Sequence, residues 1–215
     1  MTRQAADDLR ELLAVYAEPI LRERGWKGSG RRFTRSNEVG DVALVRFAPW
    51  QLPDVVSFNV ELAVVPALWA RWRTSADLRG SGGLTEADGL WRSRLDPPPA
   101  PDDDCPSWWQ YDASTRAGTG QALRERLMAA AAMMDLLLDP VRAVKLLRGM
   151  SEREYDASGF QPNPALAVAT YLVVGGSLDE ARVAVDELAA AWAASPATDD
   201  EAVRFMQAAL AERNA

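Results

Sequence analysis

The chain of 215 residues contains no histidine and a single cysteine, Cys105. Histidine is the usual general base near neutral pH, the partner of serine and cysteine nucleophiles, and the commonest metal ligand. Its absence argues against all of those sites. One cysteine cannot form an intrachain disulfide, and without a second cysteine or a histidine it cannot build a thiolate zinc site. Carboxylate chemistry, arginine recognition of anions, and binding without chemistry remain.

Long apolar runs are missing as well. No stretch approaches the roughly 20 apolar residues that are needed to span a bilayer. The segment from Met1 to Leu13 is charged near its start and has helical spacing, so it lacks the apolar core of a secretory signal. We therefore expect a cytoplasmic protein with no membrane partner.

Positive charge is in short supply, because the formal net charge is −7. Nucleic acids and anionic membranes are bound through basic surface, so neither is an expected partner. The segment from Arg22 to Arg46 is an exception, with seven basic residues against three acidic ones. That segment is the one basic patch that the sequence offers.

The residues that are present favour a packed core, since 48% of the chain is hydrophobic and eight residues are tryptophan. Leu9, Leu12, Leu13, Tyr16 and Ile20 repeat at helical spacing, which predicts an N-terminal helix. Pro19 should kink or divide that helix.

Period-two alternation follows the first helix and predicts strands. The expected strands are Arg32 to Ser36, Val42 to Ala48, Val55 to Val65, Leu90 to Leu95 and Trp108 to Asp112. In the third of these, Ser57, Asn59 and Glu61 alternate with apolar residues. One face of that strand should be buried, and the other should be wet or lined with polar groups.

From Gly118 onward the pattern is helical. Leu123, Leu127 and Met134 predict a long central helix, with Met128 widening its buried stripe. Asp139-Pro140 predicts the cap and first residue of the next helix. The whole pattern predicts an α+β fold, with a mainly antiparallel sheet of about five strands packed by the N-terminal and central helices. We expect residues 1–150 to form this α+β domain and residues 151–215 to form a C-terminal helical layer packed on it.

Three short runs occur in a recognisable order: Gly25-Trp-Lys-Gly-Ser-Gly-Arg-Arg-Phe33, then Phe58-Asn-Val-Glu-Leu62, then Trp108-Trp109 before a long helix. In this order and spacing the chain resembles a bacterial family, domain of unknown function 4304 (DUF4304), over roughly residues 5–150. The resemblance implies an α+β domain and brings no established activity.

Arg46, Asn59 and Glu61 form the first candidate site, because pairing of the second and third strands would place them on one face. One interpretation is a cross-strand ion pair with a structural role. The other is a polar pocket in which Arg46 binds an anionic group with bidentate geometry.

Arg31, Phe33 and Arg35 form a second candidate site, because they share one face of the first strand. Basic residues interleaved with aromatic ones can bind single-stranded nucleic acid. The alternative is an edge strand that is protected from unwanted pairing by its charge.

Trp108 and Trp109 should point to opposite sides of their strand, one into the core and one outward as an interface anchor. Asp102, Asp103 and Asp104 could supply oxygen ligands to a metal ion, or they could simply face solvent in a proline-rich loop. We expect no cofactor and no metal.

Taken together, these features favour a non-enzymatic interaction or binding module whose partner is another protein. Immunity proteins that neutralise basic toxins are an analogy. The alternative is a small enzyme or binding protein that acts on an anionic small molecule through Arg46, Glu61 and neighbouring carboxylates. An interaction module requires a broad surface patch, whereas an enzyme or small-molecule binder requires a deep polar pocket.

Overall fold

The computed structural model describes residues 3–51, 55–76, 78, 83–99, 108–193 and 201–214. The chain forms two compact units. The first comprises Met1–Arg35, Ala43–Ala63 and Ser93–Asp135, and the second comprises Ser36–Val42, Val64–Arg92 and Leu136–Ala215. Each unit is assembled from separate stretches of chain, and the expected domain boundary near residue 150 stays a prediction.

Helices and strands together give the expected α+β class. The α-helices of the described residues are α1 (Arg3–Tyr16), α2 (Glu18–Glu23), α3 (Ala67–Ser75), α4 (Arg116–Leu137), α5 (Pro140–Gly149), α6 (Glu152–Ala157), α7 (Pro164–Gly175), α8 (Leu178–Ala193) and α9 (Glu201–Arg213). The strands are β1 (Lys27–Ser29), β2 (Arg32–Ser36), β3 (Val42–Gln51), β4 (Val56–Val65), β5 (Trp91–Arg94) and β6 (Trp109–Tyr111).

Two of the predicted helix boundaries are confirmed. Pro19 divides the N-terminal helix, because α1 ends at Tyr16 and α2 begins at Glu18. Asp139 caps α5, where its carboxylate accepts hydrogen bonds from the backbone N–H groups of Val141 and Arg142. Such a cap satisfies donors that the first turn of a helix leaves free.

The sheet has the order β1-β2-β3-β4-β5, and β6 pairs with β4. β1 pairs antiparallel with β2, with Gly28 opposite Phe33. Gly28 has a φ of 125°, and a Cβ there would collide with the Arg32 carbonyl oxygen, so the position requires glycine. β2 lies between β1 and β3 in the sheet. The expectation that Arg31, Phe33 and Arg35 mark an edge strand is therefore wrong.

The core of the first unit lies between one sheet face and two helices. Leu12 of α1 and Leu123 of α4 are fully buried. The two helices approach closely at Gly120, where a Cβ would overlap the Tyr16 ring. Met128 is 42% exposed, so its expected place in the buried stripe is wrong.

The second unit is centred on α7. Every residue from Leu166 to Val173 is buried, as expected of a helix that is apolar on all sides. Both α5 and α8 pack on it. Arg213 donates hydrogen bonds to the carbonyl oxygens of Leu172, Val173 and Gly176, which lie at the end of α7 and just beyond it. The side chain thereby supplies donors that the last turn of a helix needs.

Candidate functional site

The sheet in the first unit has an apolar face that consists of stacked aromatic rings. Phe33 and Phe47 meet edge to face with ring centroids 6.2 Å apart. Phe58 stacks on Trp109 at 6.1 Å. Trp109 is 1% exposed, and its indole N–H donates to the Leu95 carbonyl oxygen at 2.6 Å. Trp109 therefore belongs to the core, as the alternation of Trp108 and Trp109 predicted.

The opposite face of the same strands carries the candidate site. Ser57 lies opposite Gln110 in the pairing of β4 with β6. Since side chains alternate along a strand, Ser57 and Gln110 point away from the aromatic core, and so does Trp108. We call this surface the polar face. It comprises Arg46 and Trp50 from β3, Ser57, Asn59 and Glu61 from β4, and Trp108 and Gln110 at β6.

Arg46 and Glu61 form an ion pair on the polar face. The Nε and Nη2 atoms of Arg46 both lie 2.8 Å from Oε2 of Glu61. The side chains are 46% and 29% exposed, so water reaches both groups. This geometry is the predicted cross-strand contact, and an anion could use the same edge of Arg46 only by displacing Glu61.

Ser57 and Asn59 are buried although they lie on the polar face, with exposures of 1% and 5%. Ser57 Oγ and Asn59 Oδ1 have no hydrogen-bond partner among the described residues. A buried polar atom without a partner costs about 1–3 kcal/mol. The indole N–H groups of Trp26 and Trp72 are in the same situation, so the feature is not specific to the polar face.

Two tryptophans and an arginine lie together on the polar face. Trp50 and Trp108 have ring centroids 5.2 Å apart, and the Arg94 guanidinium lies over the Trp108 ring at 6.0 Å. Trp50 is 58% exposed. We call these three residues the tryptophan cluster. Large rings are normally buried, so the exposed Trp50 ring beside the half-buried Trp108 and a cation marks a surface that is suited to binding.

The sequence prediction reached Trp108 but missed Trp50 and Arg94. The alternation predicts a strand from Val42 to Ala48, which leaves Trp50 outside it. β3 instead continues to Gln51. The spacing of Arg46, Ala48 and Trp50 was the signal that could have placed the ring on the polar face.

Most of the basic segment is neutralised by carboxylates from outside it. Arg24 and Arg35 both contact Asp135 of α4, at 3.1 Å and 2.5 Å. Arg22 contacts Glu18 at 3.2 Å. Arg31 lies in the turn between β1 and β2 and is exposed. The excess of positive charge in the sequence therefore does not become a continuous basic surface.

Among the described residues, the most buried carboxylate is Asp41, in the second unit. Burial raises the pKa of Asp41, and hydrogen bonds from the Ala67 backbone N–H and the Asn37 side chain oppose the rise. The Ala67 N–H lies 2.8 Å from Oδ1, in the first turn of α3. These contacts explain Asp41 as a link between the 37–41 turn and a helix terminus, and no catalytic role is needed.

The metal hypothesis rests on Asp102, Asp103 and Asp104. Within the described ranges, no three acidic or cysteine side chains are placed to hold a metal ion together. Asp102, Asp103, Asp104 and Cys105 lie outside the described residues. No helix in the described part of the chain is long and apolar enough to cross a membrane.

Comparisons with protein-family models, with curated proteins and with solved structures gave no match.

Proposed function

We propose that the protein is a non-enzymatic interaction module that binds another protein through the tryptophan cluster. The observation that carries this proposal is the exposed ring of Trp50 in tilted contact with Trp108, with the Arg94 guanidinium over Trp108. Tryptophan and arginine dominate the energetics of protein interfaces, because each buries a large area and retains a polar group at its rim.

The chemical character of the rest of the chain supports the same proposal. A net charge of −7 favours encounter with a basic partner through long-range attraction. An immunity-type protein that neutralises a basic toxin is likewise an acidic protein that binds a basic partner. The proposal includes a cytoplasmic location. It is also compatible with the resemblance to domain of unknown function 4304, a bacterial family without an established activity.

Copurification from the cell of origin, followed by mass spectrometry, tests the proposal. Wild type, Trp50→Ala and Trp108→Ala would be compared with Val183→Ala, which shortens an exposed apolar residue of the second unit. We expect a stoichiometric protein with wild type and with the Val183 variant, and its loss with both tryptophan variants. Equal recovery by all four proteins, or no stoichiometric protein with wild type, would refute the proposal. Melting curves would establish that the variants are folded.

A second candidate function rests on a different observation, the partly exposed side chain of Arg46 in its pair with Glu61. A small anionic molecule could displace Glu61 and bind Arg46, whereas Ser57 Oγ and Asn59 Oδ1 are buried out of its reach. Calorimetric titration with simple hydroxycarboxylates would test this idea. Binding that Arg46→Ala abolishes without a large fall in melting temperature would support it, whereas the absence of heat for every compound would count against it.

A further inference from the structure

The second unit contains a groove that the proposed function does not use. It has a volume of about 480 Å³, and residues of α5 form one wall while Glu180 of α8 lies on the other side. Its apolar lining includes Val144 and Leu172, which are buried in the unit. Val141, also in the lining, is 67% exposed. An aliphatic side chain that is this exposed beside an apolar floor leaves hydrophobic area open to a ligand.

The rim of the groove is basic. Lys145 and Arg148 both line it. With Arg142 they follow one another at three-residue spacing along α5, and all three are exposed. Arg142 and Lys145 have no carboxylate at ion-pair distance within the described part of the chain. Arg148 is close to Glu180, because hydrogen bonds from Ser177 and then the positive charge of Arg148 lower the pKa of the Glu180 carboxyl. Glu180 is the acidic member of the rim, and its carboxylate already accepts hydrogen bonds from the backbone N–H and hydroxyl of Ser177.

Other arginines of the same unit behave differently. Arg71 contacts Glu212, Arg73 contacts Asp88, and the Arg182 side chain contacts Asp179. In a protein with a net charge of −7, carboxylates are available to most cations. Lys145 has no such partner within the described residues, and beside an apolar groove it complements a negative group.

We propose that this groove binds a small amphipathic carboxylate, whose apolar body lies over Val144 and Leu172 and whose acid group lies between Lys145 and Arg148. The volume supports a small molecule, because ligand sites are typically clefts of about 300–1,000 Å³ with apolar walls and a few polar groups. The ligand class thus follows from two complementary features, an apolar floor and two basic side chains at the rim, of which Lys145 has no ion-pair partner within the described residues.

Gly149 allows the groove to be blocked without disturbing the fold. It lines the groove, its φ is not positive, and a Cβ there would meet nothing within 4 Å. Gly149→Phe should therefore be tolerated and should occupy the ligand space. Gly118→Phe is the matched control, because Gly118 has equally open surroundings on α4 of the first unit.

The probes are decanoate and its uncharged analogue decanol, each used below the concentration at which it aggregates. Binding would be followed by amide chemical shifts in nitrogen-labelled protein and by calorimetry. We expect decanoate to shift the amides of α5 and of the end of α7, and Gly149→Phe but not Gly118→Phe to abolish this. Replacing both basic residues, Lys145→Gln with Arg148→Gln, should weaken decanoate binding by about tenfold and leave decanol unaffected, since two exposed charge contacts are lost.

Several results would overturn the proposal. One is that decanoate produces no shifts at these helices, or produces the same shifts in Gly149→Phe as in wild type. Equal affinity for decanol and decanoate would remove the role of the basic rim. Binding of an acidic amphipathic peptide without binding of decanoate would assign the groove to a protein partner instead. Because none of these variants touches the tryptophan cluster, their outcome is independent of the copurification experiment.

Discussion

The ion pair between Arg46 and Glu61 permits a quantitative prediction. Two unit charges 4 Å apart attract by about 1 kcal/mol in bulk water and about 4 kcal/mol at an effective dielectric constant near 20. Both side chains remain partly exposed, which brings the pair towards the aqueous limit. Exposed pairs typically contribute about 0.2–1 kcal/mol. Because two nitrogen atoms converge on one oxygen, we expect a coupling free energy near the top of that range, about 1 kcal/mol.

A double-mutant cycle measures this coupling directly. Arg46→Ala, Glu61→Ala and the double variant would be unfolded in urea together with wild type. The cycle is needed because Arg46 makes contacts besides this pair, which a single substitution would also remove. Repeating the cycle in 1 M NaCl should lower the coupling, since salt screens exposed charges.

The result distinguishes three situations. A coupling of about 0.5–1 kcal/mol that falls in salt agrees with a partly exposed cross-strand pair. A value above about 2 kcal/mol would refute the reasoning, because it would mean that the pair is shielded from water. A value near zero would mean that the contact does not persist in solution, and Arg46 would then be available to an anion.

Three further predictions concern the framework of the site. The pKa of Asp41 is raised above its ordinary value of 3.8, so between these two pKa values the native state keeps a proton that the unfolded state has lost. The stability of wild type relative to Asp41→Asn should therefore be greatest below pH 3.8 and should fall as pH rises through the native pKa. A difference in urea midpoints that does not change with pH would contradict this. Trp109→Ala should cost about 3–5 kcal/mol in the same assay because it empties a core position, and a loss below about 1 kcal/mol would show that the ring is not buried. Gly159→Ala should lower the melting temperature far more than Gly149→Ala. Gly159 has a φ of 90° and an added Cβ would meet the Arg92 carbonyl oxygen, whereas an added Cβ at Gly149 would meet open space. Equal effects of the two substitutions would refute this reasoning.

The sequence predicted those elements whose signals are local. The division of the first helix at Pro19 and the cap at Asp139 depend on the chemistry of single residues, and both are confirmed. The class of fold follows from the order of alternating and helical patterns, and it is also confirmed. Local signals suffice here because proline geometry and helix capping do not depend on distant contacts.

Other features were missed for identifiable reasons. β1 has three residues around Gly28, which is too short for alternation to be visible. α6 begins with the capping box of Ser151 and Glu154, but no apolar stripe follows it to mark a helix. Each of these elements forms because of strand pairing or packing with distant residues. The local order of apolar and polar residues carries no information about such contacts.

Some features of the candidate site could be predicted from the sequence and others could not. Alternation predicted that Trp108 and Trp109 point to opposite sides, and it put Arg46 and Glu61 on one face. It did not predict that Asn59 and Ser57 on that face would be buried, because burial depends on what covers a strand. The association of Trp50 with Trp108 is also a long-range contact between separate strands, so no spacing in the sequence could reveal it.

The helix α7 has a consequence for biosynthesis. Its residues are apolar on every side, yet the side chain that completes its C-terminal hydrogen bonds, Arg213, is 41 residues beyond Leu172. At about 5–20 residues per second, a ribosome needs roughly 2–8 s to make that interval. During this time α5 can cover only part of α7, because α8 and α9 are not yet complete. The yield of native protein should therefore depend on translation speed across α8 and α9 and on chaperones near the ribosome exit.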